Sequence, residues 1–74
     1  NILPPMISIY RWNGKIERDQ EVMIVMETTT QMSGSAFDRL QQLHSYDVPK
    51  IYTLEADTVL QAYLSWLSSE TQKQ

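Results

Sequence analysis

An α+β fold built on an antiparallel hairpin is what these 74 residues predict, and three observations carry the prediction. Two β-rich runs flank the dipeptide Asn13-Gly14. Two later stretches repeat apolar residues at helical spacing, and a short run of β-formers separates them.

Residues 7–12 ("ISIYRW") alternate apolar and other side chains, as a half-buried strand does. Asn13-Gly14 follows, and a type I′ turn needs positive φ at both of its central positions. Residues 15–30, rich in β-branched side chains and methionine, return as the second strand. The two-residue loop sets the register, with Trp12 opposite Lys15, Tyr10 opposite Glu17 and Ser8 opposite Asp19. One face then holds Ile7, Ile9, Ile16, Val22, Ile24 and Met26, and is the expected core face. The other holds Tyr10, Trp12, Lys15, Glu17, Asp19 and Glu21, then Met23 and Val25. "VMIVM" (22–26) is therefore apolar on both sides, and one layer of helices covers only one of them. Another subunit is the economical cover for the second.

A helix is expected in "SGSAFDRLQQLH" (33–44). Ser35 can cap it with Asp38 three positions on, and Ala36, Phe37, Leu40 and Leu43 recur along one side. His44 falls in its last turn, and Pro49 disfavours the α conformation at Val48. Residues 50–54 read as a third strand. Asp57 can cap a second helix whose face holds Leu60, Tyr63, Leu64 and Leu67, broadened by Val59 and Trp66. Residues 68–74 read as a polar, fraying tail. The order strand, strand, helix, strand, helix gives a ferredoxin-like antiparallel sheet that is one strand and one crossover helix short. The chain opens on Asn1 rather than methionine, so the expected place of that pair is before it. A single domain over 1–74 is the expected organisation.

A core of this size supplies only roughly 3–5 kcal/mol. Cysteine is absent, which removes disulfides and thiolate zinc sites, so association with other subunits becomes the expected supplement. The net charge is −3 and the six Lys and Arg residues are scattered, so no basic stripe exists to follow nucleic-acid phosphates. No apolar run approaches the roughly 20 residues of a membrane-spanning helix.

Among chemically capable groups, His44 is the single imidazole. Copper or zinc would favour it, but a useful site needs further ligands, which subunits meeting at one point can supply. The alternative is a histidine at a helix C-terminus, held by the dipole and a neighbouring loop. Tyr10, Trp12, Lys15 and Glu17 share a hairpin face, where an amine beside an indole and a carboxylate can hold a polar ligand. They can equally be cross-strand pairs that steady the turn. Glu17, Asp19 and Glu21 form a carboxylate row, either a hard-cation site or a solvated edge. Met6, Met23, Met26 and Met32 are expected to fill the core. Tyr63 and Trp66 are expected to pack the last helix on the sheet or a neighbour. Nucleophile motifs and phosphate-cradling glycine loops are absent, so the chain does not read as an enzyme.

Five segments, "NILP", "SIYRWNGKIE", "EVMIVMETT", "HSYDVPKI" and "YLSWL", stand in the order and spacing of the CutA-type divalent-cation tolerance proteins. The chain resembles that family along its whole length. The resemblance implies a homotrimer of ferredoxin-like, PII-like subunits, with helices on one face of the sheet and an extra C-terminal helix. It implies a family member without the family's first strand and helix. It further implies copper or another divalent metal as the bound ion, His44 as metal ligand, and action by binding rather than catalysis. A ligand cleft would gather Tyr10, Trp12, Lys15, Glu17, Tyr46, Asp47 and Trp66. Ser45 stands where the family usually has proline, Asp47 and Lys50 where it usually has glutamate, Glu55 for proline and Val59 for glycine. Leu43 stands where copper-linked bacterial members can carry a second histidine. The expected protein is cytoplasmic, without nucleic-acid partners or direct membrane insertion. Eukaryotic members are linked to acetylcholinesterase anchoring, which offers a protein-partner role as one alternative. The similar PII-type signal proteins offer a small-molecule sensor as another.

Overall fold

Asn13 at φ 51° and Gly14 at φ 75° make the tight turn that the sequence demands. The computed structural model describes residues 1–72. The turn joins β1 (Met6–Trp12) to β2 (Lys15–Glu21), which pair antiparallel. The register is the expected one: Trp12 faces Lys15, Tyr10 faces Glu17, and Ser8 faces Asp19. Two helices follow, α1 (Thr30–Leu43) and α2 (Gln61–Glu70), so the architecture is α+β.

The returning strand ends earlier than expected, at Glu21 rather than residue 30. Beyond it only Ile24 pairs again, with Ile2. Asn1 and Val25 exchange bonds there, at 2.7 and 2.9 Å, and the Leu3 N–H donates to the Met23 carbonyl at 2.9 Å. Between the pairs Ile2–Ile24 and Met6–Glu21 lie three residues on one strand and two on the other. The extra residue is a bulge, and Pro4 and Pro5 explain its place, because neither has an N–H to give to a ladder.

The face expected to be the core is exposed, and the other face is not buried in its place. Ile7, Ile9 and Ile16 are exposed, the last two at 68% each, and Val22, Ile24 and Met26 are exposed as well. The opposite face looks onto an open groove, with Ser8, Tyr10 and Asp19 on the sheet side and Ser33, Phe37 and Leu40 of α1 on the other, and Ile9, Val22, Ile24 and Met26 also border it. Among the described residues β1 and β2 pack only on each other, so neither helix closes onto the sheet.

Helix α1 starts five residues before the expected cap, Ser35. Thr29, extended at ψ 160°, precedes it without a side-chain cap bond, and the Ser33 hydroxyl donates back to the Thr30 carbonyl at 2.9 Å. Met32, Ala36, Phe37 and Leu40 form its half-buried stripe, whereas Leu43 is exposed. Residues 50–54 form no strand, because no neighbouring strand offers them a ladder. Helix α2 begins at Gln61 rather than after Asp57, and it absorbs Ser68–Glu70 of the expected tail. Residues 73–74 of that tail lie outside the described residues.

Leu67 of α2, 9% exposed, is the one buried side chain among the described residues. Met6, Met23 and Met26 are exposed and do not fill a core. The radius of gyration is 15.5 Å, against about 11 Å for a compact domain of this length. The accessible surface is 7020 Å², against roughly 4,700 Å² for a folded monomer of this mass. Apolar side chains left uncovered contribute to that excess, on the hairpin, over residues 22–26 and at Val48, Tyr52, Leu54 and Leu60.

Candidate functional site

Polar chemistry concentrates on the groove face of the hairpin. Alternation along β1 and β2 puts Ser8, Tyr10 and Trp12 beside Lys15, Glu17, Asp19 and Glu21. The Tyr10 hydroxyl donates to Asp19, its diagonal rather than its direct cross-strand neighbour. That bond pushes the Tyr10 phenol up to about 12, with desolvation and the nearby charges of Asp19, Glu17 and Glu21 adding to it. A phenolate there would have no proton to donate to Asp19 and would face three carboxylates.

The second half of the cluster comes from the loop after α1. His44 caps that helix with extended backbone, and its N–H donates to the Leu40 carbonyl at 3.0 Å. The Tyr46 N–H donates to His44 Nδ1 at 3.1 Å, and the two rings lie 4.6 Å apart at a 59° tilt. The Tyr46 hydroxyl then reaches Glu21 Oε2 at 3.4 Å. The Glu21 charge is the main cause that raises the Tyr46 phenol, followed by desolvation and this bond.

The residues expected to form a cleft fall into three groups. Trp12 and Lys15 sit at the turn, with Tyr10 and Glu17 two pairs further along on the same face. Tyr46 lies against Glu21, and Asp47 follows it in the loop. Lys15 and Glu21 stand six positions apart along β2, roughly 20 Å of strand. Trp66 is apart from both, packed on Tyr63 of its own helix at 5.7 Å. Asp19 and Glu21 enter the site as acceptors for tyrosine hydroxyls, a role the sequence reading did not give them. The available signal was their parity with Tyr10 on one face.

Among the described residues no three His, Cys, Asp or Glu side chains converge as metal ligands. Among the same residues no helix is long and apolar enough to cross a membrane.

The family model described as "CutA1 divalent ion tolerance protein" matches residues 1–70. The chain belongs to this family. It is 39% identical over 71 residues to the divalent-cation tolerance protein CutA of Thermus thermophilus, covering 96% of this chain and 69% of that protein. The protein of the same description from Pyrococcus horikoshii is 41% identical over 66 residues, 89% of this chain and 65% of its own length. Protein CutA of Bos taurus is 32% identical over 72 residues, 97% of this chain and 41% of that protein. The chain thus spans from about two fifths to just over two thirds of these relatives.

Proposed function

We propose that this chain acts in tolerance of divalent metal ions, copper among them, by binding rather than by catalysis, as one subunit of a cytoplasmic homotrimer. The family match over residues 1–70 carries the reading, through what its relatives are called. In the trimer each chain contributes a ferredoxin-like domain, 1–74, with the extra helix α2 at its C-terminal side. The exposed Ile7, Ile9 and Ile16, interleaved with Arg11, Arg18 and Gln20 on one face, support the assembly, since a covering subunit would take their apolar surface out of water.

The spread of the cleft residues supports a site shared between subunits. Trp12 and Lys15 at the hairpin tip of one copy would meet His44, Tyr46 and Asp47 of another, with Tyr10, Glu17 and Trp66 shaping the walls. Lys15 and Trp12 offer a cation and an indole to a polar ligand, and His44 is the one imidazole each chain can give to a metal.

Native mass spectrometry with substoichiometric copper(II) tests both parts. A trimer that takes up a small fixed number of ions is the expected result, and His44→Ala should abolish the uptake. Copper retained unchanged by that variant would remove His44 from the site. A trimer without specific uptake would favour instead the protein-partner or small-molecule roles.

A further inference from the structure

His44 is held on three sides. Its backbone N–H is bonded to Leu40, its Nδ1 accepts the Tyr46 N–H at 3.1 Å, and its ring rests against the Tyr46 ring. Tyr46 in turn reaches Glu21 on β2. These contacts form a clasp from the end of α1, through the loop, to the sheet.

An accepting Nδ1 fixes the chemistry of the imidazole. The neutral ring carries one proton, and with the Nδ1 lone pair aimed at an N–H that proton is on Nε2. A histidine that holds a metal shows the reverse arrangement. One nitrogen gives its lone pair to the ion, and the other donates its N–H to a carbonyl, carboxylate or water. The second nitrogen of His44 faces another donor instead. As folded, this imidazole does not fit a cation on either nitrogen.

We propose that the Tyr46 N–H locks His44 as the Nε2–H tautomer, so that a divalent cation can take this imidazole only by opening the His44–Tyr46 clasp. Coordination through Nε2 places the single ring proton on Nδ1, where it meets the Tyr46 N–H in place of a lone pair. Coordination through Nδ1 displaces that N–H directly. Neither route gains or loses a proton overall. Each frees the Tyr46 amide and loosens the hold of its hydroxyl on Glu21, so the loop of residues 45–49 would respond to the metal. The coupling rests on the reading of His44 as a metal-binding residue, whereas the tautomer stands without it.

Long-range proton–nitrogen NMR on imidazole-labelled protein, at alkaline pH and without metal, decides the tautomer. The Nε2–H pattern is expected, and an Nδ1–H pattern overturns the proposal. Zinc(II), a diamagnetic probe, is then titrated while hydrogen exchange of the Tyr46 amide is followed. Zinc at His44 should speed that exchange by about tenfold, the equivalent of one lost hydrogen bond. Zinc bound at His44 with Tyr46 exchange unchanged overturns the coupling. Zinc that leaves the His44 signals unmoved removes the metal role of this residue, while the metal-free spectrum still decides the tautomer. Tyr46→Pro, which deletes the donor N–H, should relax the tautomer preference. Tyr46→Phe, which keeps it, should not.

Discussion

The two faces of the hairpin are made from the same two strands and differ in how each is satisfied. On the groove face Tyr10 donates to Asp19 and Tyr46 to Glu21, so these polar groups find partners within the chain. On the opposite face Ile7, Ile9 and Ile16 find none. Directional bonds can be closed by one side chain reaching across. Apolar area is satisfied only by an equal area laid against it. A short chain can thus satisfy such polar contacts alone and still need another surface for its apolar side chains.

The sharpest way to break this contrast is Ile16→Asp. On an uncovered face it costs less than about 0.5 kcal/mol. Against a covering subunit it desolvates a carboxylate, at roughly 2–5 kcal/mol per interface. The expected result is dissociation to monomers in native mass spectrometry, and an intact assembly would move the interface elsewhere. Gly14→Ala acts on both faces at once by straining the turn at φ 75°, where the space around it is open. Its expected cost is about 1 kcal/mol, read by chemical denaturation.

A smaller effect sharpens the polar side. The Tyr10 phenol is pushed up from 10.0 to about 12, so its bond to Asp19 contributes fully below pH 10 and is lost as pH rises toward 12. Ultraviolet titration should show one tyrosine ionising late, and Asp19→Asn should return that step toward the ordinary value. A late step that persists in the variant would assign the shift to another cause. The smallest expected effect is that of Tyr46→Phe, faster amide exchange in residues 45–49 with the β1–β2 register unchanged. A change of register would show that the loop helps to set the pairing.

The hairpin was legible in the sequence because its information is local. Two turn residues set every pair from Met6–Glu21 to Trp12–Lys15. The third strand was not, because residues 50–54 have the right composition but strand structure also requires a neighbour. The start of α1 was misplaced by a good local cap at Ser35, which the helix passes through after beginning at Thr30. Within the site, the face shared by Tyr10, Glu17, Asp19 and Glu21 could be read by counting. The bonds to Asp19 and Glu21 could not, since one is diagonal and the other comes from a loop some 25 residues later in the chain. The family resemblance found the identity of the chain where neither periodicity nor spacing could.

The proline bulge bears on a different matter, the uniqueness of the fold. A plain alternating ribbon can slide by two residues and keep every side chain on its own face. Here a slide would carry Pro4 or Pro5 into positions where the ladder requires a donor, and neither can provide one. The bulge also keeps Ile2 on the side of Ile24, where strict continuation of the β1–β2 register would have set Leu3 opposite it. The prolines therefore act as an index mark on the ribbon. They discourage misregistered hairpins and stray edge pairing during folding, when the isoleucine face has nothing yet to meet.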